Sequence, residues 1–273
     1  MQASPVWIPP TGTLGGIVEE ARERVVALRA REPELARVAA DASSPPGFAS
    51  ALGLTNVAVI AEVKRRSPSK GWINSEIRAV QQAQAYEAGG AAAISVLTEP
   101  KHFGGESADV IAVRDGVRLP VLKKDFHVDP IQLLEAKAIG ASAALVIVRA
   151  LSPRAFRDMV AAANELALEL LVEVRDESEL SRALDAGVSI IGINNRNLET
   201  LVIDAATCER LLDAIPASVV AVAESGIGGR ADVERLARAG ADAVLIGSAV
   251  SAAQDPVSAV KDLSTVPRVG RER

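Results

Sequence analysis

Eight short apolar runs recur along the chain, with little polar alternation inside them. They are rich in Val, Ile, Leu and Ala and lie at Val57–Ala61, Ala91–Val96, Val117–Leu122, Ala143–Val148, Leu168–Val172, Ser189–Ile193, Ser218–Ala223 and Ala241–Ile246. Continuous apolar runs of this length are typical of strands buried on both faces, as in parallel sheets. The pattern therefore predicts eight buried parallel strands.

Helical patterns separate these runs. Three of them begin with an N-cap residue followed by proline, at Asp129, Ser152 and Asp255. Four end in a glycine suited to a left-handed cap, at Gly90, Gly140, Gly187 and Gly240. Eight strand–helix units in about 210 residues predict a closed (β/α)8 TIM barrel. An open doubly wound sheet is the alternative, but it usually carries G-x-G-x-x-G after its first strand, where this chain has Lys-Arg-Arg-Ser-Pro.

The regions outside these units predict one domain over residues 1–273. Residues 1–50 form an N-terminal extension, which contains an extra helix and a linker at 43–50. One face of that helix carries Leu14, Ile17, Val18, Ala21, Val25 and Leu28, which we expect to cover the barrel or its rim. We expect residues 264–273 to form a frayed, solvated tail.

Composition narrows the classes of function. The chain is 49% hydrophobic with a net charge of −5, which argues against nucleic acid as a partner. Its single cysteine, Cys208, excludes an internal disulfide and fits a reducing cytoplasm. No Cys/His cluster suggests a structural metal, and no run approaches the roughly 18 apolar residues of a membrane span. We expect a cytoplasmic protein without membrane contact, as a monomer or alternatively a homodimer.

Charged side chains follow many of the runs. In a (β/α)8 barrel the carboxyl ends of the strands meet at one rim, which is where active sites lie. Buried charge there is costly unless it is paired. The candidates for that rim are Glu62, Lys64, Lys124, Glu173, Arg196 and Glu224. A ring of ion pairs that only stabilises the rim is the structural alternative.

Glycine and serine follow the last two runs. Loops at this position are the usual phosphate site of the fold, because backbone N–H groups and a helix N-terminus face the anion. The candidates are Ser225, Gly226, Gly247 and Ser248, with Ser67 as a further hydroxyl. The alternative is that these glycines only make tight turns.

Two adjacent lysines end the third run. Lys124 facing the barrel mouth suits a general acid or, if neutral, a Schiff-base nucleophile. Strand alternation points Lys123 to the opposite side, toward helices or solvent, as a surface lysine. We expect His102 and His127 to lie in loops without a catalytic role, and Cys208 to be a packing residue in a helix.

Seven strings, taken in order, resemble the indole-3-glycerol phosphate synthase family. They are IAEVKRRSPSKG (60–71), SVLTEPKHFGG (95–105), LPVLKKDFHVDPIQLLEA (119–136), LLVEV (170–174), IGINNRNLETL (191–201), VAESGI (222–227) and ADAVLIGSAV (241–250). The resemblance runs from about residue 13 to 263. It implies a (β/α)8 enzyme of tryptophan biosynthesis that uses no cofactor and no metal. The family converts 1-(2-carboxyphenylamino)-1-deoxyribulose 5-phosphate to indole-3-glycerol phosphate, carbon dioxide and water.

The resemblance also implies roles for individual residues. Lys124 is the general acid that protonates the substrate carbonyl, and Lys64 binds the substrate carboxylate. Glu62 and Glu173 serve acid–base steps in dehydration, while Asn194, Arg196 and Glu224 orient the intermediate and complete the polar ring. The remaining matches are the phosphate group, Ser67, Ser225, Gly226, Gly247 and Ser248, and the apolar group around the aromatic ring, Phe103, Phe126, Leu145 and Leu198.

Two positions depart from the family pattern. Glu106 follows Phe103-Gly104-Gly105 where the family usually has serine, so the second loop is expected to sit differently. Asn197 stands where many members have aspartate, which removes a carboxylate from the sixth loop. Two other functions stay open: another phosphosugar barrel enzyme, as an isomerase or a Schiff-base aldolase using Lys124, and a non-catalytic barrel.

Overall fold

Eight parallel strands form a closed barrel in the computed structural model, which describes residues 7–271. Each strand pairs with the next one in sequence, and the last pairs with the first through Ala58 and Ala243. The predicted (β/α)8 barrel is confirmed, and the open-sheet alternative is wrong. The strands are β1 (Ala58–Val63), β2 (Ala93–Leu97), β3 (Val121–Lys124), β4 (Ala143–Ile147), β5 (Glu169–Val174), β6 (Ile190–Asn194), β7 (Val220–Glu224) and β8 (Ala243–Ile246).

Helices surround the barrel and precede it. They are α1 (Gly12–Ala30), α2 (Glu32–Asp41), α3 (Phe48–Ala51), α4 (Ala79–Ala88), α5 (Pro100–Phe103), α6 (Ser107–Gly116), α7 (Pro130–Ala138), α8 (Pro153–Glu165), α9 (Glu177–Asp185), α10 (Ala206–Leu212), α11 (Arg230–Arg238), α12 (Ser248–Ser251) and α13 (Pro256–Ser264). A 3-10 turn spans Val148–Ala150, and a small hairpin pairs Arg66–Ser67 with Gly71–Trp72. Within residues 7–271, none of the helices combines the length and apolar character that a bilayer span requires.

Local sequence signals define the helix ends as predicted. The Asp129 side chain accepts the N–H of Ile131, the Ser152 hydroxyl that of Ala155, and Asp255 that of Ser258. The four predicted cap glycines all have positive φ, from 70° to 97°: Gly90, Gly140, Gly187 and Gly240. These caps allow each helix to end within a few residues of the next strand.

Six of the eight strands extend beyond the apolar runs at their carboxyl ends, whereas β4 and β8 do not. Five polar residues are therefore the last or next-to-last residues of strands: Glu62, Lys124, Glu173, Asn194 and Glu224. Register places Asn194 opposite Glu224 and Glu173 opposite Gly192 on neighbouring strands. The barrel thus holds these side chains at nearly the same level, at one mouth.

The N-terminal extension packs on the barrel as predicted, through the buried Leu14, Ile17, Val18 and Ala21 of α1. The predicted linker at 43–50 is only partly irregular, because Phe48 is fully buried and begins α3. Its backbone N–H donates to the Glu169 carboxylate. The Ala49 N–H also donates to Glu169, at 3.0 Å, so two backbone hydrogen bonds anchor the linker to β5.

The C-terminal tail differs from the frayed segment that we predicted. Val266 is buried, and its carbonyl accepts the N–H of Val57 at 2.9 Å. The Arg271 guanidinium lies 2.7 Å from Asp242 Oδ2. The tail therefore packs against the residues that precede β1, β7 and β8, while residues 272–273 lie outside the described residues.

Lys123 points away from the barrel mouth as predicted, but it is not a surface residue. Its side chain is 1% exposed, and its Nζ lies 2.7 Å from Glu135 Oε2 on α7. The ion pair connects β3 to the helix layer. Strand alternation predicted the direction of the side chain correctly. It could not predict that a partner on α7 would bury it.

We expect Lys123→Met to lower the free energy of unfolding by about 3 kcal/mol, because it removes the cationic partner of the largely buried Glu135 carboxylate and leaves it only the Ser107 hydroxyl. Chemical denaturation measures the loss. Lys261→Met is the matched control, since Lys261 is exposed on α13. A Lys123→Met protein as stable as this control would contradict a stabilising role for the pair.

Candidate active site

A cavity that is partly open to solvent lies at the carboxyl ends of the strands. All of the site residues predicted from sequence line it. They are the polar residues Glu62, Lys64, Lys124, Glu173, Asn194, Arg196 and Glu224, the apolar residues Phe103, Phe126, Leu145 and Leu198, and the loop residues Ser67, Ser225, Gly226, Gly247 and Ser248. The structure brings the three groups together, and their individual roles stay predictions.

Lys124 lies between two buried carboxylates. Its Nζ is 3.3 Å from Glu224 Oε2 and 3.7 Å from Glu173 Oε2. Burial by itself lowers the pKa of the Lys124 amine, but the neighbouring carboxylates outweigh this effect and raise the pKa above its ordinary value. Lys124 is therefore an ammonium ion at neutral pH.

Glu224 is the carboxylate whose negative charge is least offset by neighbouring groups. Burial raises the pKa of Glu224 to about 7, against the lowering effect of Lys124 and with a further rise from Glu173. Its Oε1 is buried without a hydrogen-bond partner among residues 7–271. Gly192 leaves space for this oxygen, because a Cβ at position 192 would lie 2.1 Å from it.

Asn194 fixes the orientation of Glu173. Its Nδ2 donates to Glu173 Oε1 at 2.8 Å, and its Oδ1 accepts the Arg196 N–H at 2.9 Å. The Arg196 guanidinium donates to the Leu201 carbonyl at 2.8 Å, and burial lowers the pKa of Arg196. Arg196 thus shapes its own loop while lining the cavity.

Glu62 and Lys64 form a second ion pair at the mouth, with Glu62 Oε1 2.6 Å from Lys64 Nζ. Gly247, just after β8, lies against both side chains. A Cβ at position 247 would be 2.2 Å from the Glu62 oxygen and 2.6 Å from the Lys64 nitrogen. A larger residue there would displace the pair.

The loops after β7 and β8 present backbone groups to the cavity. Ser225 and Gly226 are consecutive residues with positive φ, 65° and 73°. Gly247 precedes α12, which begins at Ser248. Ser67 is buried in the hairpin after β1, where its Oγ accepts the Lys70 N–H. Backbone N–H groups at turns and helix starts suit an oxyanion.

Two aromatic rings form part of the apolar wall, with the centroids of Phe103 and Phe126 6.1 Å apart. Sequence reasoning missed the residue that positions Phe103. Glu99 is fully buried, and its carboxylate accepts the N–H groups of Lys101, His102 and Phe103. The Glu99-Pro100 pair is an N-cap signal for α5 that could have identified it.

The N-terminal helix also reaches the site, through Thr13 and Ile17 in the cavity wall. An ion pair fixes the entry to this helix: Arg149 Nη2 lies 2.9 Å from Glu199 Oε1. The same oxygen accepts the Thr11 N–H at 2.7 Å. Arg149, a strand-end residue without a predicted role, thus ties the extension to the rim.

The two departures from the family pattern have local consequences. Glu106 is exposed. The loop approaches β2 closely one residue earlier, at Gly105, where a Cβ would lie 1.9 Å from the Leu97 carbonyl oxygen. The Asn197 Oδ1 accepts the N–H groups of Glu199 and Thr200. Asn197 therefore makes a turn contact that a carboxylate oxygen also makes.

The histidines and the cysteine lie outside the lining of this cavity. His127 is buried, its Nδ1 is 2.6 Å from the Leu145 carbonyl, and burial lowers the pKa of His127 to about 4. His102 belongs to α5 rather than to a loop and lies 2.8 Å from Glu20. Cys208 is buried in α10, as predicted for a packing residue.

A second cavity lies beside the first. Ile147, Glu173, Arg196 and Leu198 line both cavities. Glu179, at the third position of α9, faces only the second one. Burial raises the pKa of Glu179 to about 7, with Asp176 adding to the shift.

Comparison with known proteins adds an independent observation. The model of the indole-3-glycerol phosphate synthase family matches residues 14–263. Indole-3-glycerol phosphate synthase 1 of Streptomyces coelicolor is 49% identical over 230 residues, 84% of this chain and 86% of that protein. The indole-3-glycerol phosphate synthase of Mycolicibacterium gilvum is 46% identical over 245 residues, 90% of this chain and 89% of that protein.

A more distant structure shares the fold alone. Thiamine phosphate pyrophosphorylase from Pyrococcus furiosus superposes with a TM-score of 0.56 at 18% identity, over 77% of this chain and 94% of that one. The barrel fold, the residues at its mouth and the two relatives all point to the same family. The chain belongs to the indole-3-glycerol phosphate synthase family.

Proposed function

We propose that the chain converts 1-(2-carboxyphenylamino)-1-deoxyribulose 5-phosphate to indole-3-glycerol phosphate, carbon dioxide and water, with Lys124 as the general acid. The observation that carries this proposal is the Lys124 ammonium group, 3.3 Å and 3.7 Å from two buried carboxylates. It is a charged proton donor in a cavity that is also lined by serine and glycine turns and by apolar rings. The substrate offers matching groups: a phosphate, a carboxylate, a ketone and an aromatic ring.

Each of the three groups of lining residues binds a different part of the substrate. The loops after β7 and β8, with Ser67, hold the phosphate through N–H and hydroxyl groups. Lys64 holds the substrate carboxylate, and the neighbouring Glu62 keeps the ammonium in place at 2.6 Å. Phe103, Phe126, Leu145 and Leu198 enclose the aromatic ring.

Ring closure develops negative charge on the ketone oxygen, and the Lys124 ammonium transfers a proton to it. The bond between the ring carbon and the carboxylate then breaks, and its electron pair returns to the ring. The carboxylate loses its charge in this step, so an apolar wall beside the ring favours it. Asn194 holds Glu173 ready for the following step.

Dehydration needs a base and an acid. Glu173 accepts the proton from carbon, since its Oε1 is fixed by Asn194 and its Oε2 faces Lys124. The Lys64 ammonium, paired with Glu62, donates the proton that turns the hydroxyl into leaving water. Glu224 supports Lys124 by electrostatic attraction.

The charge on Lys124 argues against the Schiff-base alternative. An amine must be neutral to attack a carbonyl, whereas the adjacent carboxylates hold Lys124 as an ammonium ion. Borohydride trapping of substrate on Lys124 would contradict the general-acid role.

We also propose that one chain in the cytoplasm is sufficient for activity. Residues of a single chain provide the phosphate, carboxylate and ring contacts of the proposal. The lone cysteine, Cys208, is buried and free, as suits a reducing compartment.

Lys124→Met is expected to lower kcat by about a thousandfold, because it removes the proton donor. The fold is expected to persist, because Glu224, with a pKa of about 7, takes up a proton when the ammonium is lost. Indole fluorescence measures product formation, and circular dichroism measures the fold. Lys261→Met is the control, and rates like those of the control would overturn the proposal.

Ser248→Asp is expected to raise KM at least about tenfold, because it places negative charge against the substrate phosphate. Ser258→Asp adds the same charge at an exposed position of α13 and serves as the control. Steady-state kinetics over a range of substrate concentrations separates KM from kcat. An unchanged KM would count against phosphate binding at the start of α12.

Gly192→Ala is expected to lower kcat/KM by about a hundredfold, because its Cβ would displace the Glu224 carboxylate beside Lys124. Gly16→Ala is the matched control, since a Cβ there has no atom within 4 Å. Both variants are assayed for indole product and for thermal stability. Equal kcat/KM values in the two variants would show that the position of Glu224 is unimportant.

A further inference from the structure

Two buried carboxylates each hold one ring of the aromatic wall in place. The Asp125 carboxylate accepts the Phe126 N–H at 2.8 Å, through Oδ1. The Glu99 carboxylate accepts the Phe103 N–H at 3.1 Å, through Oε2. Each bond fixes the backbone from which a ring projects. The positions of the two carboxylates therefore determine where the rings stand, with their centroids 6.1 Å apart.

Asp125 also connects the ends of β2 and β3. Its Oδ2 accepts the Thr98 hydroxyl at 2.8 Å, and the Thr98 N–H donates to the Lys124 carbonyl at 3.0 Å. Asp125 directly follows Lys124 and is itself part of the cavity wall. The end of β3 thus presents the proposed general acid and, one residue later, a carboxylate that shapes the apolar wall.

One guanidinium from outside the barrel contacts both carboxylates. Arg24 Nη2 lies 2.6 Å from Asp125 Oδ1, and Arg24 Nη1 lies 3.4 Å from Glu99 Oε1. Arg24 belongs to α1, the helix of the N-terminal extension. A planar guanidinium holds two acceptors in fixed relative positions, which a flexible ammonium does not do.

The buried charge of these acids requires such a partner. Glu99 is fully buried, and Asp125 is 6% exposed. Burial raises the pKa of Asp125, but the positive charges of Lys123 and Arg24 outweigh this effect and hold the pKa below its ordinary value. Lys123 is already paired with Glu135, whereas Arg24 contacts Asp125 directly. Loss of Arg24 would leave buried negative charge free to shift.

We infer that Arg24 is a positioning residue for the aromatic ring of the substrate, acting through Glu99 and Asp125. The guanidinium fixes the two carboxylates relative to each other, and each carboxylate fixes one phenylalanine. The ring pocket is therefore shaped before the ligand enters, which saves the cost of ordering its side chains on binding. Arg24 lies behind the cavity wall rather than in it. The inference rests on the proposed function, because that reaction supplies the aromatic ring.

Arg24→Met tests this role in the full-length protein, because methionine keeps an apolar stem and removes the guanidinium. The probe is 2-aminobenzoate, which has the ring and carboxylate of the substrate and whose own fluorescence reports binding. We expect its Kd to rise about tenfold, the cost of ordering two side chains that are no longer held. Inorganic phosphate, followed by calorimetry, is expected to keep its Kd, because the proposed phosphate loops follow β7 and β8. In turnover, KM should rise by a similar factor with little change in kcat.

Arg22→Met is the matched control, because Arg22 is exposed on the same helix and pairs with Glu19. Equal Kd values for 2-aminobenzoate, or equal KM values for the complete substrate, in the two variants would overturn the inference. An equal weakening of 2-aminobenzoate and phosphate binding would also overturn it, because it would indicate a general loss of structure at the mouth.

Arg24→Lys provides a second test if Arg24→Met proves unfolded by circular dichroism. Lysine keeps the positive charge but contacts one carboxylate at a time, so we expect the Kd of 2-aminobenzoate to rise by about threefold. Wild-type affinity in folded Arg24→Lys would contradict the need for a guanidinium that spans both acids. Failure of the wild-type chain to form indole product would instead refute the proposed function, while the binding experiments would still decide the role of Arg24.

Discussion

An excess of buried negative charge determines the protonation states of the side chains at the mouth of this barrel. Glu62, Glu173 and Glu224 are all nearly inaccessible, and Lys124 is the cation that their fields share. Glu62 has Lys64 as a second partner and Glu173 has Asn194, whereas Glu224 depends on Lys124. The three carboxylates keep Lys124 positively charged, and Lys124 in turn favours the ionised form of the carboxylates. A donor and an acceptor of protons therefore coexist a few ångströms apart.

The backbone has to make room for that cluster. Gly192 faces the Glu224 oxygen, and Gly247 faces the Glu62–Lys64 pair, each at distances that no Cβ would tolerate. Gly192 is the middle residue of β6 and Gly247 follows β8, and both lie where a barrel of small diameter crowds its inner layer. The polar cluster and the two glycines therefore pack as one unit, and the loops that we propose to bind phosphate begin immediately after it.

The sequence predicted what depends on short-range pattern. Apolar runs, caps and glycines define the barrel, and parallel closure then gathers the strand-end residues Lys124, Glu173 and Glu224 at one mouth. Residues whose position depends on distant contacts were missed. Glu99 caps a four-residue helix, and Val266 pairs with the start of β1 across the length of the chain. Lys123 had its direction predicted from alternation, but its burial depends on Glu135, a partner on a separate helix.

Two steps of the proposed reaction place opposite demands on the site. Decarboxylation proceeds best against a dry apolar wall, because charge disappears there. Dehydration needs a supply of protons, which water carries. One cavity can meet both demands when its walls differ. In the proposal, Phe103 and Phe126 form the apolar side, and Lys124, Glu173 and Glu224 form the polar side.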